Sequence, residues 1–160
     1  MEQIYQTYLN IIKNICTDSN DPVSVTPEQL PALANLAQEH CTVPFVLPCL
    51  RSASVYPSMK HQVKEMMLNY YQIEHFTRTT VSLLRENHID CYLLKGLSLA
   101  DCYPVPEYRK LGDLDLYLAE PETLSQAQAV LESNGYILQD ELSDHHVTYY
   151  YTFPKTGRRF

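Results

Sequence analysis

The first half of the chain repeats its apolar residues at the spacing of an α-helix. Over residues 3–16 the apolar positions fall on one side of a helix, and a longer helical period begins at Pro57 and continues for more than twenty residues. Apolar side chains three and four residues apart share one face of a helix and can cover a core. The pattern therefore predicts an N-terminal helical lobe, in which the helix that begins at Pro57 is the longest element.

Another helix is predicted between these two by its start signal. Thr26 is a favourable N-cap, Pro27 suits the first helical position, and Gln29 stands three residues after the cap, which is the capping-box arrangement. Two later prolines leave room only for a short helical turn over residues 45–50. We therefore expect a lobe of several helices joined by proline-containing turns.

After the long helix the pattern changes to short apolar runs separated by turn signals. Residues 89–95 and 136–139 are typical of strands, residues 146–153 form a β-rich run with three successive tyrosines, and Pro121 and Gly135 bracket a further helix. The predicted fold class is α+β, with a small mixed β-sheet core and the N-terminal helical lobe.

This division predicts two domains, a helical lobe over residues 1–88 and an α/β core over residues 89–160. Residues 154–157 carry a proline and a glycine that mark a turn, and only residues 158–160 follow it. Three residues are fewer than most strands contain, so we expect the core to be truncated at its C-terminal end.

Residues 92–118 carry the clearest chemical signal. Asp113 and Asp115 are two positions apart in a strand-like alternation, so both side chains are expected on one face, with the intervening leucines on the core-facing side. Two carboxylates held side by side repel each other unless a cation lies in front of them. Their hard oxygens suit Mg²⁺ or Mn²⁺ better than Zn²⁺. We predict a metal site at Asp113 and Asp115; the alternative is a solvent-facing strand end.

The start of the same stretch predicts an anion site. An apolar strand ends at Gly96 and turns into a helix, which leaves free backbone N–H groups where a phosphate can approach closely. Lys95 adds a positive charge and Ser98 a hydroxyl. Because Mg²⁺ completes its shell with water and substrate phosphates, the two halves together indicate phosphoryl or nucleotidyl transfer. The alternative interpretations are a tight turn at Gly96 and Ser98, and a Lys95 side chain that extends into solvent.

Arg109 stands four residues before Asp113, in a loop flanked by prolines. A guanidinium bordering the site can bind phosphate oxygens bidentately. The alternative is a surface ion pair with Glu107 or Glu120, which contributes little.

Several short motifs follow one another in this stretch: Leu94-Lys95-Gly96, Leu99-Ala100, Tyr103 and Pro104, Arg109, and Gly112-Asp113-Leu114-Asp115-Leu116. Together they resemble the signature of the uncharacterised nucleotidyltransferase family within the DNA polymerase β-like superfamily. The resemblance covers residues 89–160, and the first 88 residues match only as a helical extension. It implies a two-metal site with a nucleoside triphosphate as substrate. It also implies a third carboxylate on a strand that begins near Arg158.

The resemblance predicts a metal-dependent enzyme that moves a nucleoside monophosphate from a nucleoside triphosphate to a hydroxyl acceptor, either a small molecule or a protein. The alternative is a catalytically inactive module with the same fold that binds a partner, because two carboxylates alone hold the transferring metal poorly. A sugar-nucleotide glycosyltransferase that uses Asp-x-Asp for Mn²⁺ is more distant, since the chain lacks the length and the repeated βα units of such a domain.

The amino-acid composition limits the kinds of partner and compartment that can be expected for the chain. Twelve basic against nineteen acidic residues give a net charge of −7, which argues against a general nucleic-acid surface. Five cysteines without C-x-x-C spacing favour neither a zinc site nor a disulfide framework, and they suit a reducing cytoplasm. The chain opens without a basic n-region and contains no run of 18 apolar residues, so neither a signal peptide nor a membrane span is predicted.

Two further groups have weaker functional signals. His145 and His146 follow an aspartate and raise a metal or acid–base role, although such a pair is more often a surface feature. Lys155, Arg158 and Arg159 form a basic tip that we expect to be solvated, or to help a nucleotide dock if the strand continues beside the two aspartates.

Overall fold

The computed structural model describes residues 2–19, 21–120, 122–139 and 147–160. The α-helices in these residues are α1 (Glu2–Cys16), α2 (Leu30–Glu39), α3 (Val43–Val46), α4 (Tyr56–Glu86) and α5 (Thr123–Ser133). The strands are β1 (Cys91–Leu94), β2 (Asp115–Leu118), β3 (Tyr136–Leu138) and β4 (Tyr149–Tyr151). Short 3-10 helices cover Pro27–Gln29, Leu47–Leu50, Gly96–Cys102 and Pro106–Tyr108. The predicted α+β class is confirmed.

The helices follow the apolar periodicity closely. The backbone N–H of Thr26 donates to the Oε1 atom of Gln29 at 3.0 Å, as the predicted capping box requires, and one 3-10 turn leads into α2. The longest predicted helix is α4, whose 31 residues begin one position before Pro57. Pro121, expected near the start of α5, lies outside the described residues.

A left-handed residue ends α4. His88 has a positive φ angle, +61°. The N–H of Ile89 donates to the carbonyl of Leu84, and the N–H of His88 to that of Arg85. These two bonds form a Schellman motif, in which the residues Leu84 and Ile89 that flank the turn are both buried.

One hydrophobic core belongs to the helical part of the chain. It is built from α1, α2, α3, the 3-10 helix Leu47–Leu50 and the first turns of α4. Leu33, Ala37, Val46 and Leu50 have no exposed surface at its centre. These are positions at which the helical period and the proline-bounded turn predicted apolar contacts.

A second core lies beneath the β1–β2 ladder. The two strands are antiparallel, with Leu93 opposite Leu116 and Leu94 opposite Asp115. Their inner residues pack with the last turns of α4 and with α5; the buried members are Leu84, Ile89, Cys91 and Ala127. This core fixes the register of β2 and therefore the position of Asp115.

β3 and β4 form a separate antiparallel ladder, which is extended by a bridge between Thr152 and Arg159. Among the described strands there are thus two two-stranded antiparallel sheets where we predicted one mixed sheet. Each ladder joins two strands that follow each other in the chain, and the turn after β4 brings Arg159 back to Thr152. Aromatic rings on this ladder contact Phe76: those of Tyr136, Tyr151 and Phe160 are stacked with it, and that of Phe153 is edge-on.

The chain divides into two compact units that interleave along the sequence. The first contains Met1–Tyr71 and Leu99–Leu111, and the second contains Gln72–Ser98 and Gly112–Phe160. This division is not the same as the predicted domains 1–88 and 89–160, which remain a prediction. None of the helices in the described residues has both the length and the apolar character that a membrane crossing needs.

Candidate functional site

β1 leads into a tight corner formed by Lys95 and Gly96. Both residues have positive φ angles, +41° and +39° respectively. Glycine adopts this region freely, whereas a lysine there costs about 1 kcal/mol. A Cβ atom placed on Gly96 would lie 3.5 Å from the backbone oxygen of Asp113. The corner therefore runs in close contact with the segment that precedes β2.

The two predicted metal ligands lie beside this corner. Asp115 is the first residue of β2 and is partly buried, while Asp113 is exposed and lies two residues before the strand. The strand thus carries only one of the two carboxylates that we predicted on it. The reason is that the ladder ends at Leu94, where β1 turns into the corner and leaves Asp113 without a pairing strand.

Lys95 bonds directly to one of these carboxylates. Its Nζ atom lies 3.0 Å from Oδ2 of Asp115. The hydrogen bond and the charge of Asp115 raise the pKa of the Lys95 ammonium, and the charge of Asp113 raises it further. The charges of both carboxylates therefore act on one cation, the Lys95 ammonium at the glycine corner.

This ion pair is open to solvent. The Lys95 side chain is 66% exposed and that of Asp115 is 32% exposed. Water and salt screen such an exposed pair, so it contributes little to the stability of the fold. The bond therefore sets the direction of the two side chains more than it stabilises the fold.

Ser98 is part of the corner itself. Its hydroxyl donates to the carbonyl of Lys95 at 2.6 Å, and its backbone N–H donates to the same oxygen at 2.8 Å. The segment that follows, where a helix was expected, is the seven-residue 3-10 helix Gly96–Cys102. The Ser98 hydroxyl proton thus closes the turn, and the predicted contact of Ser98 with phosphate stays a prediction.

Arg109 belongs to the first compact unit, whereas the aspartates and the corner belong to the second. Its Nη1 atom donates to the hydroxyl of Tyr103 at 3.4 Å, and its guanidinium carbon lies 5.7 Å from the centre of that ring. Glu107, one alternative partner, accepts a 2.6 Å hydrogen bond from Tyr71. The role of Arg109 at a phosphate stays a prediction.

The remaining charged candidates have different outcomes. His145 and His146 lie outside the described residues. The guanidinium carbon of Arg159 lies 3.6 Å from the centre of the Tyr150 ring, and that of Arg158 lies 4.8 Å from the Phe160 ring. The basic tip, expected to be solvated, therefore packs its arginines on aromatic rings.

A cavity of about 430 Å³ between α4 and the turn after β4 was not predicted from the sequence. Gln72, His75 and Phe153 line it, and the Oε1 atom of Gln72 is buried without a hydrogen-bond partner among the described residues. The helical period of α4 predicts Gln72 and His75 only as helix positions. A cavity that depends on a distant turn has no local signature.

The donor chemistry at the corner fits a hard divalent cation. Among the residues that the structure describes, no three or more His, Cys, Asp and Glu side chains group closely enough to hold a metal by themselves. Mg²⁺ does not need such a cage, since one or two carboxylates suffice when water and substrate phosphates fill its other positions. Asp115 already pairs with a cationic group, and the charge of Asp113 acts on the same ammonium.

An α+β chain with a glycine corner beside an Asp-x-Asp segment is typical of a nucleotidyltransferase domain. The model of the uncharacterised nucleotidyltransferase family matches residues 26–159, and the chain belongs to this family. The match begins within the helical part, so the family extends well before residue 89, where the resemblance seen in the sequence began. Membership supports nucleotidyl transfer as the general function. Comparisons with curated proteins and with solved structures gave no match.

Proposed function

We propose that the chain binds a nucleoside triphosphate together with Mg²⁺ or Mn²⁺ and transfers the nucleoside monophosphate to a hydroxyl group. The acceptor is a small molecule or a protein. The observation that carries the proposal is the ion pair between Asp115 and the Lys95 ammonium, directly beside the Gly96 corner. The charge of Asp113 acts on the same ammonium. Carboxylates bind a cation, and a phosphate can approach the backbone of a glycine closely. A site that combines the two is suited to a metal-bound triphosphate.

Asp113 and Asp115 are the residues that would hold the metal. When bound, a divalent ion neutralises charge on the phosphates and lowers the pKa of an oxygen that it ligates. The register of β1 against β2 fixes the position of Asp115 along the ladder, whereas Asp113 lies outside the ladder. We therefore assign Asp115 the rigid ligand position and Asp113 the adaptable one.

The corner would bind the phosphates. Gly96 leaves the backbone accessible, Lys95 supplies a mobile positive charge, and Ser98 and Arg109 are the further phosphate contacts that we propose. The Lys95 side chain extends from a backbone fixed by the corner, so its ammonium reaches any anion held there. These residues orient the triphosphate and offset its charge.

Calorimetric titration of ATP, GTP, CTP and UTP in the presence of Mg²⁺ tests the proposal. We expect at least one nucleotide to bind, and we expect Asp115→Asn and Asp113→Asn to weaken binding by at least about tenfold, since even indirect supports of a metal contribute this much. Glu120→Gln removes the same charge from an exposed position after β2 and is the matched control.

Binding of the same strength in Asp113→Asn, Asp115→Asn and the control would overturn the proposal. The alternative, an inactive nucleotidyltransferase fold that binds a partner, is favoured by one observation: Lys95 already occupies Asp115. In that case, nucleotide binding is absent or does not change when Mg²⁺ is removed with EDTA. The same titration therefore separates the two functions.

A further inference from the structure

We propose that the Lys95 ammonium stays paired with Asp115 until a metal-bound nucleotide displaces it, so that the metal and the nucleotide bind together. The inference rests on the proposed function and adds to it the order in which the site is filled. It is carried by the contact between Nζ of Lys95 and Oδ2 of Asp115, at 3.0 Å, and by the corner that anchors Lys95.

Lys95 and a metal ion compete for the same place. A Mg²⁺ ion ligates a carboxylate oxygen at about 2.1 Å, closer than the ammonium now lies. An ion on Oδ2 of Asp115 would stand where the Lys95 ammonium stands, and the two positive charges repel each other strongly at that separation. The ammonium must therefore leave before Asp115 accepts the metal through this oxygen.

The free-energy cost of breaking the ion pair depends on which anion the Lys95 ammonium contacts afterwards. Its side chain is 66% exposed, so water and salt weaken the ion pair and little free energy is needed to break it. The backbone of Lys95 stays in the corner, beside Gly96, wherever the ammonium goes. A free metal ion leaves the ammonium without an anion, whereas a metal-bound triphosphate offers it phosphate oxygens. The nucleotide and the metal should therefore strengthen each other's binding.

The test measures Mn²⁺ binding by electron paramagnetic resonance, with and without a non-hydrolysable ATP analogue. Lys95→Met is compared with the unmodified chain and with Lys60→Met, which removes the same charge from an exposed position of α4. We expect Lys95→Met to bind free Mn²⁺ about two- to fivefold more tightly at low salt, because a weakly competing charge is gone. We also expect the analogue to strengthen Mn²⁺ binding less in Lys95→Met than in the unmodified chain.

Equal affinities for free Mn²⁺ in Lys95→Met and the unmodified chain would overturn the inference, and so would an equal effect of the analogue on both. The proposed function survives either result if Asp115→Asn weakens nucleotide and metal binding by at least about tenfold, as expected above. No Mn²⁺ binding by any of these proteins, with or without the analogue, overturns the proposed function and the inference together. Lys95→Gln repeats the comparison in case Lys95→Met unfolds, and circular dichroism checks the fold of each variant.

Discussion

At the residue scale, the candidate site depends on two consecutive left-handed residues. Lys95 and Gly96 reverse the chain at the end of β1, and the reversal brings Gly96 against the backbone of Asp113. Glycine is suited to its position, but lysine is strained at its own. Strain of this kind is found where function requires a special direction of a side chain. At Lys95, the strained backbone directs an ammonium at Asp115.

The first prediction concerns the corner glycine. Gly96→Ala should destabilise the fold by about 1 kcal/mol, because alanine is strained at positive φ. Steric overlap adds little, since the new Cβ would lie 3.5 Å from the nearest atom, the backbone oxygen of Asp113. Gly112→Ala is the control, because no atom lies within 4 Å of its added Cβ and its φ angle is not in the left-handed region. Urea denaturation of both variants measures the difference, and equal stabilities would contradict the prediction.

At the element scale, helices could be predicted from the sequence and the strand arrangement could not. The 31 residues of α4 repeat an apolar face that is visible in any window, and the capping box marks a start by side-chain chemistry alone. The strands have only three or four residues each, which is too short for a period to specify a partner. Their pairing in two antiparallel ladders depends on turns that bring distant segments together.

Part of the candidate site could be proposed from the sequence. Asp113, Asp115 and Gly96 could be proposed as site residues because spacing and glycine chemistry are local properties of the sequence. The bond between Lys95 and Asp115 could not be predicted, because it depends on the register of β1 against β2 and on a positive φ angle at a non-glycine residue. Such an angle is imposed by the surrounding fold and leaves no mark in the residue type.

The second prediction tests the end of α4. His88→Gly should stabilise the fold by about 0.5–1 kcal/mol, because glycine removes the strain of a φ angle of +61° and the exposed His88 side chain has no packing to lose. Asn87→Gly is the matched comparison. It should destabilise, since Asn87 has no positive φ angle and its Nδ2 atom donates to the carbonyl of Leu83 at 2.9 Å. Thermal melts that rank the two variants in the opposite order would refute this account of the helix end.

The third prediction concerns the aromatic ladder. The hydroxyl of Tyr136 bonds to Oγ1 of Thr80 at 2.7 Å in a buried position, and burial raises the pKa of Tyr136. A phenol with a raised folded-state pKa contributes its full stability below the unfolded value of about 10 and loses it as the pH rises through the folded value.

Tyr136→Phe should therefore lower stability at pH 8 by about 0.5–1.5 kcal/mol, the net value of one hydrogen bond. The difference between Tyr136→Phe and the unmodified chain should shrink above pH 10, where the unmodified chain loses the contribution of Tyr136. Tyr150→Phe, on the same ladder, is the control, and urea unfolding between pH 8 and pH 11 provides the measurement. A difference that stays constant over this range would rule out the titration of Tyr136 as its cause.

At the scale of the whole molecule, the chain passes from the first compact unit into the second, returns to the first and ends in the second. The first unit resumes at Leu99 and ends at Leu111, so the segment between Gly96 and Asp113 passes through both units. Ligand binding at the corner should therefore stabilise specific segments, and these can be identified in advance. Hydrogen exchange resolves such segments, because each opens with its own free energy.

The fourth prediction uses this segmentation. With Mg²⁺ and nucleotide at 100 times the dissociation constant, the bound state gains about 2.7 kcal/mol, which slows exchange about a hundredfold wherever opening requires release of the ligand. Residues 91–98 and 112–118 should show this slowing, and Asp115→Asn should remove it, whereas α1 should not change. Slowing in residues 99–111 as well would support a phosphate contact from Arg109. Slowing confined to α1 and α2 would contradict the assignment of the site, because the ligand would then bind a part of the chain that lacks both aspartates and the glycine corner.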